Sequence, residues 1–314
     1  MAETGEFRHE PVMVAEVLEH LGPREGLFLD GTVGGGGHAR AVLEAARGAR
    51  LLGLDRDPEA VEAARGELAE FGDRVEILRG DFRDAPELLE RSEFGTERLV
   101  GALLDLGVSA HQIETTARGF SFRPGTPLIM RMGGTTGGRR PAAAFLNEAS
   151  EEELGRVFRE YGEERRWRRL AREVVRRREA RPLETSDDLV DALERALGRS
   201  PRPRDKARVF QAVRIAVGRE LDALEEGLPR IRDLLAQEGR FVVISYHSLE
   251  DRIVKHAFGE WSRSCVCPPG LPVCRCRGEP LGRRVVDGPV TPSAGEVRAN
   301  PRSRSAKLRA WEAS

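Results

Sequence analysis

The residues of this sequence best suited to bind a small ligand form a glycine-rich stretch preceded by an acid. Residues 30–38 read DGTVGGGGH and follow a short apolar run, residues 26–29. Glycines allow positive φ angles and carry no side chain, so backbone amides at a helix start can approach a ligand closely. A tight turn without a ligand has the same composition, so the stretch alone is a weak signal. It makes Asp30, Gly34, Gly36 and Gly37 candidate binding residues.

Further polar and aromatic side chains lie where later apolar runs end. They are Asp55, Asp81, Phe82 and Asp105. An acid in the position of Asp55 can accept hydrogen bonds from both hydroxyls of a ribose. Asp81 offers a carboxylate to an adenine amino group, and Phe82 offers an aromatic face to the ring. Open α/β folds bind ligands at the carboxyl edge of the sheet, so these residues predict one nucleoside-binding pocket there.

The acid before the glycines separates two classes of cofactor. Asp30 can favour the ammonium group of S-adenosylmethionine, directly or through water, whereas it would repel the pyrophosphate of a dinucleotide. S-adenosylmethionine is therefore the predicted cofactor. A dinucleotide-dependent oxidoreductase is the disfavoured alternative.

The elements that would position these residues alternate between strands and helices. Apolar runs over 26–30, 50–55, 75–78 and 99–106 predict strands, with helical spacing between them, and residues 239–245 predict another strand. This alternation predicts an α/β fold with a parallel, Rossmann-like sheet. Residues 115–140 are rich in Gly, Thr and Arg, and helical patterns follow. We therefore expect a methyltransferase-type sheet domain in two parts, 1–112 and 207–314, around a helical insertion, 113–206. Residues 210–237 predict one long helix, and the chain after Phe258 predicts irregular structure.

Composition excludes several classes of protein. The 314 residues are 39% hydrophobic and 33% charged, and no apolar run is long enough to cross a bilayer. The first ten residues lack the basic start and apolar run of a secretory signal, so a cytoplasmic location is expected. The formal net charge of −1 gives no general argument for a polyanionic partner.

Positive charge is nevertheless concentrated in one segment. Residues 156–181 hold eleven arginines and five glutamates. Two interpretations stay open: a solvated helix with Glu–Arg pairs, such as Glu160 and Glu164 with Arg168, or a surface that contacts phosphates.

Eight motifs along the chain carry a family resemblance. They are residues 9–13 (HEPVM), 34–38 (GGGGH), 54–57 (LDRD), 104–109 (LDLGVS), 118–122 (RGFSF), 210–215 (FQAVRI), 244–252 (ISYHSLEDR) and 300–305 (NPRSRS). In these motifs the sequence resembles the bacterial 16S ribosomal RNA cytosine-N4 methyltransferases, the methyltransferase H family of the small ribosomal subunit. The resemblance covers nearly the whole length.

The resemblance implies a Rossmann-like class I S-adenosylmethionine-dependent methyltransferase with an inserted all-helical domain that recognises RNA. It implies methylation of a cytidine in the decoding region of 16S rRNA. The expected partner is this rRNA within the small ribosomal subunit. No obligate protein partner and no association with a membrane are expected. The family's cofactor contacts match Gly36, Gly37, His38, Asp55, Phe82, Asp105 and Gln112. His38 and Gln112 are candidates through the resemblance alone.

Methylation of an exocyclic amine needs alignment of the nitrogen with the sulfonium methyl and no covalent intermediate. A cytosine-C5 enzyme would need a cysteine nucleophile near the sheet edge, and all four cysteines come after residue 264. Candidate catalytic residues are Asp105, Tyr246, His247 and Ser248. Tyr246 could stack on an extruded base. An alternative interpretation makes Ser248 and Asp251 a helix capping box and His247 a structural histidine.

The sequence departs from the family where PLDMRMD is expected and PLIMRMG stands, so Ile129 and Gly133 replace two acids. Val209 and Gly218 likewise replace the expected Thr and Asn. These losses keep open a non-catalytic, cofactor-binding ribosome-assembly factor, and an amino-methyltransferase acting on another nucleic acid or on protein is the further alternative.

The cysteines, Cys265, Cys267, Cys274 and Cys276, could hold zinc. Their C-x-C spacing is tighter than the usual C-x-x-C, so no metal site is predicted.

Overall fold

The structure, a computed structural model, describes residues 11–108, 112–113, 115–131, 140–267 and 276–314. His9, Glu10, Ser109, Met132, Gly133 and Cys274, which the sequence analysis singled out, lie outside these residues. The chain forms two compact units, residues 1–107 with 221–314 and residues 108–220. No described helix combines the length and the apolar character needed to span a membrane.

The first unit is built on one seven-stranded sheet. Its strands are β1 (Gly26–Asp30), β2 (Ala49–Asp55), β3 (Val75–Arg79), β4 (Leu99–Asp105), β5 (Leu235–Ser245), β6 (Gly282–Arg284) and β7 (Lys307–Ala313). They lie in the order β3-β2-β1-β4-β5-β7-β6. The first five are parallel, whereas β7 runs antiparallel to both β5 and β6. The predicted α/β, Rossmann-like fold is confirmed.

Helices cover both faces of this sheet. They are α1 (Val14–Leu21), α2 (Gly37–Ala45), α3 (Pro58–Glu67), α4 (Ala85–Arg91), α10 (Glu220–Arg232), α11 (Ser248–Trp261) and α12 (Ala294–Ala299). Strands covered on both faces are apolar almost throughout, which is why residues 26–30 and 99–105 could be recognised as strands. Two apolar clusters, one centred on Phe241 and the other on Phe28, form the core.

The second unit is helical. It contains α5 (Ala142–Glu148), α6 (Glu151–Glu160), α7 (Trp167–Ala180), α8 (Ser186–Leu197) and α9 (Pro203–Gly218). The helices enclose their own core, in which Leu154, Phe158, Leu170, Leu193 and Val213 are fully buried. The inserted helical domain is therefore confirmed. The unit extends to residue 220 and not to 206, because Val209, Phe210 and Val213 of α9 pack into its core.

Two sequence predictions are wrong. Residues 210–237 do not form one helix, because the chain leaves the helical conformation at Arg219 (φ 47°) between α9 and α10, and β5 already begins at Leu235. The chain after Phe258 is also more regular than expected. It contains β6, α12 and β7, and β7 lies inside the sheet between β5 and β6.

Candidate active site at the carboxyl edge of the sheet

The glycine-rich turn connects β1 to α2 at the carboxyl edge of the sheet. Gly34 (φ 53°) and Gly36 (φ 87°) both adopt positive φ angles, and Gly36 is the N-cap of α2. A side chain at either position would be strained, so the turn requires glycine there. No side chain caps α2, which leaves the start of this helix open toward the turn.

Asp55, at the end of β2, ties this turn to the sheet. Its Oδ2 accepts a hydrogen bond from the Gly34 amide at 3.1 Å, and its Oδ1 accepts one from the Asp57 amide at 2.8 Å. Burial raises the pKa of Asp55, and these two amide hydrogen bonds work against that rise. A carboxylate has about four lone-pair sites, so one that receives two amides can still accept a pair of hydroxyl groups.

Asp105, at the end of β4, is the residue on which the site's other groups converge. Its Oδ1 accepts a hydrogen bond from the Tyr246 hydroxyl at 2.9 Å, and its Oδ2 lies 3.8 Å from Nδ1 of His38. The Asp105 amide donates to Oγ1 of Thr32 at 2.6 Å, so the turn also fixes the backbone of this acid. The carboxylate raises the pKa of Tyr246 further above its usual range, in addition to burial, so Tyr246 stays a hydrogen-bond donor.

His38 is buried in the first turn of α2. Its Nε2 lies 2.8 Å from the carbonyl oxygen of Val12, which makes this nitrogen the protonated donor. Burial lowers the pKa of His38, so the ring is neutral and its Nδ1, on the side of Asp105, carries no proton. Nδ1 of His38 and the Asp105 carboxylate oxygen, 3.8 Å apart, are both hydrogen-bond acceptors. One donor group of a ligand could therefore hydrogen-bond to both atoms.

Asp30 ends β1 with only 2% of its surface exposed. Burial raises the pKa of its carboxyl group to about 7, with the nearby carboxylates of Asp105 and Asp55 adding to the rise and the Thr32 amide opposing it. Asp30, Asp55 and Asp105 thus place three acids at one sheet edge, close enough for the other two to raise the pKa of Asp30. Such a place repels anions and favours a cationic ligand.

Asp81 and Phe82 both contact other parts of the protein in the first unit. Both oxygens of Asp81 receive hydrogen bonds from the Arg83 guanidinium, at 3.1 and 3.2 Å. Burial alone would raise the pKa of Asp81, but Arg56 and Arg83 outweigh it and the pKa lies below its ordinary value. The Phe82 ring is buried against Gly227 of α10, where a Cβ atom would come within 2.6 Å of it.

His247 is structural, as the alternative interpretation proposed, but it also provides the helix cap that this interpretation gave to Ser248. The N-cap of α11 is His247, whose Nδ1 accepts from the Glu250 amide at 3.4 Å. Its Nε2 lies 3.0 Å from Oε1 of Glu250, whose other oxygen accepts from the Tyr246 amide at 3.0 Å. Ser248 is the first helical residue and is exposed. The alternative interpretation of Ser248 and Asp251 as a capping box is wrong, because the N-cap is His247 and Asp251 pairs with Lys307 and Arg309.

The structure therefore brings together most of the predicted residues of the first unit. Asp30, Gly34, Gly36, Gly37, His38, Asp55, Asp105 and Tyr246 share the carboxyl edge around β1, β2, β4 and β5. Gln112 is a buried residue of the second unit. Sequence reasoning missed Thr32, the carbonyl of Val12 and Glu250. The position of Glu250, three residues after His247, was the only available signal for any of them.

The arginine-rich segment of the second unit contains both structural and exposed arginines. Four of its arginines are structural: Arg166 and Arg178 donate to backbone carbonyls, and Arg177 and Arg181 pair with Asp188. Arg165 and Arg169 are exposed and pair with no carboxylate of the described residues. Glu164 does not face Arg168 as expected, since it is buried with Arg208 at 3.3 Å.

Comparison with known proteins gives one consistent result. The MraW methylase family model matches residues 6–314. A Heliobacterium modesticaldum protein named Ribosomal RNA small subunit methyltransferase H is 48% identical over 312 residues, 98% of each chain. A Syntrophotalea carbinolica protein of the same name is 50% identical over 309 residues, 97% of each chain. The crystal structure of an rRNA methylase from Streptococcus thermophilus is 10% identical, covers 96% of this chain and 93% of that one, and has a TM-score of 0.41, too distant to support an assignment.

Proposed function

Because this chain belongs to the MraW methylase family, we propose that it transfers a methyl group from S-adenosylmethionine to N4 of a cytidine in the decoding region of 16S rRNA. Relatives that match over nearly their whole length carry the name of a small-subunit rRNA methyltransferase, which supports the substrate class. The structural observation that carries the proposal is the convergence of Tyr246 and His38 on the Asp105 carboxylate at the sheet edge.

The acids of the edge suit the proposed cofactor. S-adenosylmethionine supplies a methyl group on a positively charged sulfur, together with an ammonium group and a ribose. We assign the ribose to Asp55, whose lone pairs are not exhausted by the two amides. We assign the ammonium end to Asp30 and the turn at Gly34, Gly36 and Gly37. Gln112, Asp81 and Phe82 remain proposed contacts, with Asp81 acting through its arginine-bound carboxylate.

Asp105 is proposed to orient the target amine. The Tyr246 hydroxyl and the Thr32 side chain fix this acid, so its carboxylate can accept a hydrogen of the N4 amino group in one orientation. That contact directs the nitrogen lone pair to the methyl carbon and compensates positive charge as it develops on nitrogen. No cysteine precedes residue 265, so the ends of β1 to β4 offer no nucleophile for C5 chemistry.

One assay tests this function against its alternatives. Radiolabelled S-adenosylmethionine is incubated with naked 16S rRNA, assembled small subunits, DNA or protein, and the modified base is then mapped. We expect label on N4 of a decoding-region cytidine. Cofactor binding without transfer to any substrate would favour the assembly-factor alternative that the loss of an acid at Ile129 keeps open. Label on DNA or protein would favour another amino-methyltransferase.

The raised pKa of Asp30 predicts that cofactor affinity depends on pH. In the ligand-free protein Asp30 is neutral below about pH 7, and a bound ammonium group favours the ionised form. Affinity should therefore rise as pH increases toward 7, by up to roughly tenfold per unit. Calorimetry from about pH 5.5 to 8 measures it, and Asp30→Asn should show a flat profile. An unchanged slope in that variant would contradict the assignment.

The same residue predicts how the stability of the ligand-free protein depends on pH. The folded pKa lies above the unfolded one, so the folded state binds more protons between about pH 4 and 7. The contribution of Asp30 to the free energy of unfolding is present below this window and is lost as pH rises through it. Urea unfolding of wild type and Asp30→Asn across the window gives the difference.

His247 is proposed to act in turnover as well as in capping α11. His247→Ser keeps a side chain that caps helices well, whereas His247→Ala does not. If the imidazole takes part in proton transfer, both variants should lose about 100-fold in turnover while binding the cofactor normally. Only the alanine variant should lose stability, by about 1 kcal/mol. Full turnover in His247→Ser would reduce the role of His247 to the cap.

The second unit is proposed to contact rRNA through Arg165 and Arg169. Exposed arginines without a carboxylate partner are available to phosphates, and removing each arginine that neutralises a phosphate should lower the salt dependence of binding. We expect Arg165→Glu/Arg169→Glu to weaken binding of small-subunit rRNA at least about tenfold at low salt. Arg47→Glu/Arg91→Glu is the matched control, because it makes the same change of charge at two exposed arginines of the first unit. These two residues come before the amino ends of β2 and β4, whereas the proposed active site lies at the carboxyl ends of the strands. Equal losses of affinity in both variants would indicate only a general charge effect.

A further inference from the structure

A cluster of three cysteines follows α11, and none of its members belongs to the proposed active site. The cysteines are Cys265, Cys267 and Cys276, and their sulfur atoms all lie within 4.8 Å of one another. The two segments that carry them, 262–267 and 276–281, are separated in the chain by residues outside the described ranges. The fourth cysteine of the sequence, Cys274, lies there.

Several hydrogen bonds that do not involve sulfur hold the two segments together. The Arg277 guanidinium donates to the carbonyls of Glu260, Arg263 and Glu279, at 2.6, 2.9 and 2.9 Å. The Leu281 amide donates to the carbonyl of Trp261 at 2.8 Å. These hydrogen bonds fix the chain next to the cysteines on both segments. Less conformational entropy is therefore lost when a ligand binds to the three sulfur atoms.

Hydrogen bonding at the sulfur of Cys276 also suits a metal-bound thiolate. The Val266 amide points at this sulfur with a separation of 3.3 Å. Such amide contacts orient ligating groups in metal sites and stabilise their negative charge. The same sulfur lies 3.8 Å from the Ser264 carbonyl, which can take its proton only while the thiol is intact. Metal binding would release that proton.

We propose that Cys265, Cys267 and Cys276 bind a structural zinc ion that links the end of α11 to the segment leading into β6. Zinc prefers tetrahedral thiolate sites, and three sulfur atoms already gathered exceed what a disulfide would use. The tight C-x-C spacing argued against a metal in the sequence. In the folded chain the third thiol, that of Cys276, comes from a different segment. The spacing between Cys265 and Cys267 therefore does not determine whether a metal can bind.

Metal analysis of the untagged full-length protein tests the site. Protein produced with zinc in the medium, kept reduced and passed over a chelating resin should retain about one equivalent of zinc. Cys276→Ser should retain less than about a tenth of that amount. His256→Ala removes an exposed histidine of the neighbouring α11 and should leave the zinc content unchanged. Wild-type protein without zinc, or Cys276→Ser with the wild-type content, would overturn the proposal.

Two measurements keep the test valid if Cys276→Ser folds poorly. Cobalt added to metal-free wild-type protein should give the intense charge-transfer absorption of tetrahedral thiolate–cobalt bonds. Zinc should also protect Cys265 and Cys267 of the wild type from alkylation, read by mass spectrometry, and a chelator should remove the protection. Alkylation at the same rate with and without zinc would reject the site. S-adenosylmethionine binding, measured in parallel, reports separately on the proposed methyltransferase function.

Discussion

Asp55→Ala is expected to weaken the binding of S-adenosylmethionine at least about 100-fold. The carboxylate holds the Gly34 and Asp57 amides and is the proposed partner of the ribose hydroxyls. Hydrogen bonds to a charged group contribute about 1.5–3 kcal/mol each, and about 1.4 kcal/mol corresponds to a factor of ten in affinity. Asp55→Ala removes both the ribose hydrogen bonds and the anchor of the turn. The loss of affinity should therefore exceed two factors of ten. Calorimetric titration measures the change.

Asp57→Ala provides a matched control two residues away. Asp57 is buried, and its Oδ1 accepts a hydrogen bond from the Glu59 amide at 3.1 Å and so caps α3. Removing the cap should lower the free energy of unfolding by about 1 kcal/mol and leave cofactor affinity within about threefold of wild type. A comparable loss of affinity in both variants would mean that Asp55 acts only through local stability.

Asp105→Ala is expected to lower turnover by about 100- to 1,000-fold, the loss typical when one preorganised polar contact to a developing charge is removed. Its side chain receives the Tyr246 hydroxyl and is the proposed acceptor for the target amine. Tyr246→Phe leaves the carboxylate in place and removes only the bond that orients it. We expect about a tenfold loss of turnover in that variant, since a single neutral donor is removed.

Comparing the two changes separates orientation from charge. If Tyr246 acts only by holding the carboxylate, the double variant should be no slower than Asp105→Ala alone. Single-turnover assays with saturating cofactor give the required rates. Wild-type turnover in Asp105→Ala, in protein that still binds the cofactor, would remove this residue from the proposed chemistry.

The parallel strands could be predicted from the sequence, but the last strand, β7, could not. Residues 26–30 and 99–105 are apolar because helices cover both faces of the sheet there. β7 reads KLRAWEA and lies in the stretch after Phe258, whose Pro, Gly, Cys and Arg content predicted irregular surface structure. In the fold Arg309 pairs with Asp251 at 2.7 Å and Glu312 with Arg240 at 3.2 Å. Partners distant in sequence neutralise these charges, and no local pattern reports them.

The same limit applies to the candidate site. The ends of the apolar runs identified Asp30, Asp55 and Asp105, because strand ends in a parallel sheet must meet at one edge. Two of the remaining residues, Asp81 and His247, have partners only two or three positions away in the chain. The Arg83 contacts of Asp81 and the Glu250 contacts of His247 are set by local turns whose geometry composition does not determine.

The position of β7 between β5 and β6 has a consequence for biosynthesis. During translation β5 emerges long before residues 307–313, so one edge of the parallel sheet stays unpaired until the final strand is made. Open strand edges invite pairing with other chains, and the buried Trp311 cannot cover the neighbouring apolar surface before then. A nascent chain stalled before residue 307 should therefore associate with chaperones, and release of those chaperones should coincide with closure of the sheet.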